Sequence, residues 1–165
     1  MIVRTVEKKD IPEMEALLSY IWADTYASFL PDEVIQSVRG MWKDSTLLQK
    51  QIENPGTLFL VAEAENALVG LSTVVSCEDG TLAMVRLYVH PDHQRKGIGS
   101  ALLDKSILSF PKTAKIHLEV IKKDVKAVNF YLKHGFLYIE KKKRDIEGTE
   151  VDLLVMEKDL PVSPE

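Results

Sequence analysis

Residues 87–99 decide the fold, and they read Leu87-Tyr88-Val89-His90-Pro91-Asp92-His93-Gln94-Arg95-Lys96-Gly97-Ile98-Gly99. An apolar strand end passes through a polar turn into a Gln-x-x-Gly-x-Gly loop, and a helical run follows from Ser100. Glycines let the backbone pass close to a ligand, and amides at a helix start carry partial positive charge. The loop is therefore predicted to hold a pyrophosphate. It is not the Gly-x-Gly-x-x-Gly dinucleotide fingerprint, because a charged turn precedes the glycines and position 102 is leucine.

A second informative stretch covers residues 124–136 and reads Asp-Val-Lys-Ala-Val-Asn-Phe-Tyr-Leu-Lys-His-Gly-Phe. Asp124 is expected to cap a helix whose apolar residues recur at helical spacing. Gly135 supplies the left-handed residue that ends this helix, and Phe136 begins the next strand.

Together the two stretches resemble the GNAT superfamily of N-acetyltransferases. The first resembles its motif A, (Gln/Arg)-x-x-Gly-x-(Gly/Ala) after Leu-Tyr-Val-x-Pro, and the second its Asn-x-x-Ala-x-x-Phe-Tyr-x-x-x-Gly-Phe signature. The similarity is close from about residue 82 to residue 138. It implies a mixed α/β fold with a mostly antiparallel sheet of about seven strands and about four helices. In that fold two parallel strands splay apart and acetyl-coenzyme A, the co-substrate, lies in the gap.

The resemblance also assigns coenzyme-binding residues. Asp124 stands where the family has asparagine, so it still caps the helix but cannot donate an amide N–H to the pantetheine arm. Tyr131 matches the tyrosine that protonates the leaving thiolate, and its ordinary pKa of ~10 suits a proton donor. The full set implied by the resemblance is Leu87, Tyr88, Val89, Gln94, Arg95, Lys96, Gly97, Ile98, Gly99, Ser100, Asp124 and Tyr131.

The resemblance does not identify a general base, because residues 82–86 lack the glutamate that many relatives have on the fourth strand. Glu119 is the nearest catalytic candidate, and strand alternation places it with His117 on one face. A chain of water molecules is an equally consistent base.

The acceptor side is expected to come from the first two helices and their connection. Trp22, Asp24 and Tyr26 are the candidate substrate residues there, with Asp24 and Tyr26 facing a cationic amine. Their Trp-x-x-Thr-Tyr pattern before Leu-Pro is reminiscent of family members that act on small amines, including polyamines.

Hydrophobic periodicity predicts the order β-α-α-β-β-β-α-β-α-β-β. Asp10 and Glu13 are expected to form a capping box at the first helix, and the second helix to break near Gly40. Residues 1–160 are predicted to form one domain and residues 161–165 a disordered tail. The predicted strands are 2–6, 57–64, 68–77, 82–89, 115–121, 136–143 and 150–158, and the helices are 10–27, 32–53, one after Gly97 and one around Ala127.

Composition excludes several classes of function. The chain has 165 residues and a net charge of −4, which disfavours a general nucleic-acid binder. No apolar run reaches the ~20 residues of a membrane span, and the N-terminal residues lack the apolar core of a signal peptide. The single cysteine, Cys77, permits neither an internal disulfide nor a cysteine-based metal cage. A cytoplasmic, metal-free protein without a membrane or nucleic-acid partner is expected.

Three functions remain open at this point. The leading one is an N-acetyltransferase that moves an acetyl group from acetyl-coenzyme A to a small-molecule primary amine. The second is acetylation of a protein N-terminus or lysine, and the third is a non-catalytic acetyl-coenzyme A-binding domain. The sequence does not give the oligomeric state, although members of the family are often homodimers.

Overall fold

A computed structural model describes residues 1–164 of the chain, which form seven strands and five α-helices. Single 3-10 turns lie at Lys8–Asp10, Tyr26–Ser28 and Pro91–His93. In chain order the elements are β1 (Ile2–Thr5), α1 (Ile11–Thr25), α2 (Asp32–Trp42), α3 (Ser45–Glu53), β2 (Thr57–Ala64), β3 (Ala67–Ser76), β4 (Leu82–Val89), α4 (Ile98–Leu108), β5 (Lys115–Ile121), α5 (Val125–Lys133), β6 (Leu137–Ile146) and β7 (Thr149–Asp159).

The strands form one sheet in the order β1-β2-β3-β4-β5-β7-β6. Within residues 1–164, β4 and β5 are the single parallel pair, and every other neighbouring pair is antiparallel. A parallel pair needs a crossover connection, and α4 supplies it. The predicted mixed, mostly antiparallel sheet is confirmed.

Helices cover both faces of the sheet. On one face α1, α2 and α3 pack, through residues such as Met14, Val38 and Leu48, against strand residues such as Phe59. On the other face α4 and α5 pack against β4, β5 and β7. The helix α4 approaches β3 closely at Gly70, where an added Cβ would lie 3.0 Å from the Tyr88 carbonyl oxygen and 3.1 Å from the Leu102 side chain. A glycine is therefore required there to seat α4 on the sheet.

Two helix predictions need correction. The predicted helix 32–53 is two helices, which gives five helices where about four were expected, and the break lies at Asp44 instead of Gly40. The Asp44 carboxylate accepts a hydrogen bond from the Thr46 N–H at 3.0 Å and so caps α3. At α1 the expected capping box does not form, because the Asp10 carboxylate instead accepts from the Glu7 N–H at 2.7 Å and pairs with Arg4 at 2.8 Å.

A β-bulge in β4 shapes the strand that leads to the Gln-x-x-Gly-x-Gly loop. Thr73 of β3 pairs with Arg86, and Val74 pairs with Met84, so Val85 is the extra residue. The bulge exchanges the two faces of the strand beyond it. As a result Met84 before it and Leu87 after it both face α4 and α5, although they are three residues apart.

No helix of residues 1–164 is long and apolar enough to cross a membrane. After β7, residues 161–164 have no regular secondary structure, and the Ser163 N–H donates to the Pro111 carbonyl oxygen at 3.0 Å. Glu165 lies outside the described residues. Disorder of the tail stays a prediction.

Candidate active site

The parallel strands β4 and β5 open into a gap. Their ladder within the described chain has two register pairs, Leu82 with Ile116 and Ala83 with His117. Beyond the Val85 bulge the rest of β4 stays paired with β3 and no longer pairs with β5. Backbone groups on the β5 side of residues 87–89, where the thioester and pantetheine were predicted to lie, therefore face the gap.

The loop at the mouth of this gap has backbone amides, at residues 95–97, that find no hydrogen-bond acceptor within residues 1–164. Arg95 (φ +60°) and Gly97 (φ +82°) both have left-handed backbone, which is rare for arginine and easy for glycine. Gln94 fixes the loop start, because its side-chain amide donates to the Val89 carbonyl oxygen at 3.1 Å. Residues 94–97 are exposed.

The first amides of α4 also lack partners inside the helix. The first intrahelical bond of α4 runs from the Ala101 N–H to the Gly97 carbonyl oxygen at 3.0 Å, so the amides of residues 98–100 have no acceptor inside the helix. Helix starts of this kind bind phosphates. At Gly99 an added Cβ would lie 3.3 Å from the Phe130 ring, so this glycine also allows α5 to pack on the loop.

On the other side of the gap, α5 carries two of the predicted residues. Asp124 caps the helix as expected, since its carboxylate accepts from the Ala127 N–H at 3.2 Å. Tyr131 is buried, with its ring edge-on to Phe130 and to Phe136 at 5.3 Å in each case. The left-handed backbone of Gly135 (φ +88°) ends the helix segment, as the sequence predicted.

Three tyrosines and Asp124 gather at the gap. The ring of Tyr26 stands edge-on to that of Tyr88 at 6.3 Å. Burial, followed by the neighbouring Tyr88 hydroxyl, raises the pKa of Tyr26, and burial followed by the charges of Tyr88 and Asp124 raises that of Tyr131. Burial also raises the pKa of Asp124. The hydroxyls of Tyr26 and Tyr131 therefore stay protonated.

Glu119 lies on β5 on the same face of the sheet as His117, as alternation predicted. Its two carboxylate oxygens are engaged by cations of β6: Arg144 at 2.7 Å and Lys142 at 3.4 Å. A proton taken up by Glu119 would have to compete with both ion pairs.

The candidate substrate residues differ in their surroundings. Trp22 packs against Tyr26 with ring centroids 4.4 Å apart, and within residues 1–164 its buried indole Nε1 has no hydrogen-bond acceptor. Asp24, by contrast, is exposed at the end of α1. Trp22 and Tyr26 thus reach the tyrosine cluster, and the structure gives no contact that brings Asp24 there.

Sequence reasoning missed Arg86 and His134. The Arg86 guanidinium stacks over Trp42 at 4.8 Å and donates to the Gln51 side-chain oxygen at 2.7 Å, on the face covered by α2 and α3. His134 contacts Ser100 at the start of α4. Its position four residues after Phe130, on the same helix face, was the available signal.

The arrangement suits transfer of a group from an anionic, elongated donor. It combines an amide-lined loop, an open strand edge and a buried hydroxyl donor. No group of three or more His, Cys, Asp or Glu side chains in residues 1–164 is placed to hold a metal ion.

Comparison with known proteins agrees with this geometry. Residues 55–137, half of the chain, match the family model described as the acetyltransferase (GNAT) domain. The chain is 28% identical over 162 residues to the spermidine N(1)-acetyltransferase of Thermoplasma acidophilum, covering 93% of this chain and 95% of that relative. It is 32% identical over 92 residues to the mycothiol acetyltransferase of Mycolicibacterium vanbaalenii, covering 50% of this chain and 29% of that protein.

A solved structure is similar over nearly the whole chain. The crystal structure of the PaiA N-acetyltransferase from Thermoplasma acidophilum in complex with coenzyme A superimposes with a TM-score of 0.81 and 25% identity. The match covers 96% of this chain and 98% of that one.

Proposed function

Since this chain belongs to the GNAT family and is an acyltransferase, we propose that it transfers the acetyl group of acetyl-coenzyme A to a small, polyamine-like primary amine. The observation that carries the choice of acceptor is the end-to-end match to a spermidine N(1)-acetyltransferase. A small-molecule acceptor is preferred to a protein N-terminus or lysine on this ground.

The coenzyme site in this proposal is the loop of residues 94–99 with the start of α4. Its backbone amides without protein acceptors and the left-handed backbone of Arg95 and Gly97 suit a pyrophosphate, and no atom stands within 4 Å of the position of a Gly97 Cβ. The solved relative with coenzyme A bound supports the same ligand. The pantetheine arm would then follow the free edge of residues 87–89 into the gap.

Tyr131 is the proton donor in this scheme. The neutral amine attacks the thioester carbon, the new C–N bond forms, the C–S bond breaks, and sulfur leaves as a thiolate. Tyr131 gives its hydroxyl proton to that sulfur, and the proton that the attacking nitrogen releases as the amide forms passes to the tyrosinate, directly or through solvent. Its raised pKa keeps it protonated before the reaction, as a general acid requires.

The amine must lose one proton before it attacks. Glu119 is the proposed acceptor of that proton, directly or through water, with Arg144 and Lys142 holding its carboxylate in place. Trp22 and Tyr26 form the wall on which the apolar methylene chain of the acceptor would lie.

A thiol-release assay with a panel of acceptors tests the proposal. The panel contains spermidine, putrescine, a peptide with a free N-terminal alanine and a peptide with one internal lysine and a blocked N-terminus. We expect the two free polyamines to have the highest kcat/KM. Faster turnover of either peptide would overturn the choice of acceptor, and acetyl-coenzyme A that does not bind would overturn the site itself.

A further inference from the structure

A hydrogen-bonded chain joins α5 to the first turn of α4. The Oγ of Ser100 lies 2.8 Å from Nε2 of His134, and Nδ1 of the same ring lies 2.8 Å from the Phe130 carbonyl oxygen. The His134 ring also packs on the Phe130 ring, with centroids 4.2 Å apart. Both His134 and Ser100 are half-buried, so the ring has few alternative orientations.

The chemistry of these partners fixes the protons. A carbonyl oxygen only accepts, so Nδ1 of His134 must carry a hydrogen and donate it to Phe130. In the neutral ring Nε2 then has a lone pair, and the Ser100 hydroxyl donates to it. The Ser100 proton consequently points at His134, and its oxygen presents only lone pairs to an anion at the loop.

Protonation of His134 reverses that bond. With hydrogens on both nitrogens, Nε2 donates to the Ser100 oxygen, and the hydroxyl hydrogen is released to donate elsewhere. Ser100 lies at the start of α4 among the amides proposed to hold the pyrophosphate.

We propose that Ser100 and His134 form a proton-linked element of the coenzyme site, in which pyrophosphate binding takes up a proton on His134. The inference rests on the proposed function, because it needs a phosphate group at residues 94–100. His134 acts through Ser100 and is therefore a positioning residue. The bound anion and the imidazolium attract each other. Ser100 connects them, because its oxygen accepts from Nε2 of His134 while its hydroxyl donates to the anion.

The charges around His134 set the direction of this linkage. Arg95 and Lys96 of the loop, Lys133 on α5 itself and Lys158 of β7 disfavour a second proton on the free ring; an added Cβ at Gly135 would lie 3.7 Å from the Lys158 Nζ. The C-terminal end of α5, where His134 lies, and Asp104 of α4 favour it. A dianionic pyrophosphate offsets the cations and attracts the imidazolium, so binding of the pyrophosphate favours uptake of a proton on His134.

Dephospho-coenzyme A is the probe, because it keeps the pyrophosphate but lacks the 3′-phosphate that titrates near pH 6. Calorimetry from pH 5.5 to 8.0, in two buffers of different ionisation enthalpy, measures affinity and proton uptake together. For the unsubstituted protein we expect affinity to fall about three- to tenfold across this range, with up to one proton taken up.

Three variants locate the effect. His134→Phe keeps the aromatic packing on Phe130 and is expected to bind with flat pH dependence and no proton uptake. Ser100→Ala keeps the histidine but should bind more weakly at pH 5.5 and lose most of the pH dependence. His93→Phe, the control, removes a half-buried histidine of the turn before the loop, which stands edge-on to His90 at 5.7 Å, and the linkage should persist.

Two results would overturn the linkage. One is pH-independent affinity without proton uptake in the unsubstituted protein, and the other is an unchanged pH profile in Ser100→Ala and in folded His134→Phe. Loss of the linkage in His93→Phe would also contradict it. Failure of the proposed function is separate, since then neither coenzyme A nor dephospho-coenzyme A binds at any pH.

Discussion

Gly97 offers a test of the coenzyme loop with a matched control in the same chain. Gly97 and Gly80 have nearly the same left-handed backbone, with φ of +82° and +81°, and an added Cβ meets nothing within 4 Å at either. Gly97 lies in the loop after β4, and Gly80 lies in the turn before it. The eight residues of β4 place these turns roughly 25 Å apart. Gly97→Val and Gly80→Val therefore impose the same local strain at two different places.

The magnitude follows from the backbone. A β-branched residue in the left-handed region costs about 1–3 kcal/mol. In a domain of this size, each kcal/mol lowers Tm by about 2–4 °C, so both variants should remain folded and lose similar amounts. If the loop of Gly97→Val relaxes to relieve the strain, coenzyme binding must restore it. The same 1–3 kcal/mol then appears as about 5- to 150-fold weaker affinity.

Thermal melting and calorimetry with coenzyme A measure the two quantities on each variant. We expect similar losses in Tm, with weaker coenzyme affinity in Gly97→Val alone. An unchanged Kd in a folded Gly97→Val protein would remove the loop from the mechanism. An equal loss of affinity in Gly80→Val would show that the effect is global destabilisation.

Three further outcomes are expected. Tyr131→Phe keeps the packed ring and removes the proposed proton donor, so kcat should fall about 100-fold while the coenzyme Kd measured by calorimetry stays unchanged. The loss of kcat should be smaller for an acyl donor with a more acidic thiol. Turnover within a few-fold of the unsubstituted enzyme would leave Tyr131 as a packing residue. The rate should rise with pH through the neutral range as the acceptor amine loses its proton. Glu119→Gln should flatten that rise with little effect on coenzyme affinity. An unchanged pH–rate profile in this variant would point to water as the base. Burial raises the pKa of Asp124 in the folded state, so the stability this carboxyl contributes is complete below its unfolded value of 3.8 and lost as pH rises through the folded value. Asp124→Asn, which keeps a capping side chain, should therefore have the higher Tm at pH 7, and the difference in melting curves should shrink toward pH 4; a difference that grows on acidification would contradict the sign.

Local patterns predicted most of the fold because their causes are local. The bounds of β2, β4 and β5 agree with prediction, because the alternation of apolar and polar residues and the flanking turns depend only on residues adjacent in sequence. Asp124 caps α5 and Gly135 ends it for the same reason. The family resemblance then supplied the arrangement of these elements in space, which periodicity alone does not contain.

Partners that come from distant parts of the chain were not predictable in this way. The Glu13 carboxylate, which the capping box needed, instead accepts from the Leu68 N–H at 2.7 Å, so a capping pattern that is present in the sequence is not used. The bulge at Val85 depends on how β3 pairs with β4, and the sequence of β4 has no residue that signals a bulge. The cations that engage Glu119 arrive from β6, more than 20 residues later.

The environment of the gap bears on how this enzyme deprotonates its amine without the fourth-strand glutamate that many relatives carry. Burial raises the pKa of Tyr26, of Tyr131 and of Asp124, which shows that the cluster disfavours negative charge. Desolvation also disfavours positive charge, so burial in the same space lowers the pKa of an ammonium, against the attraction of the Asp124 carboxylate. A strong base is then less necessary, because desolvation supplies part of the free energy of deprotonation. In the proposed mechanism, the burial that keeps Tyr131 protonated as the acid thus also favours the neutral amine as the nucleophile.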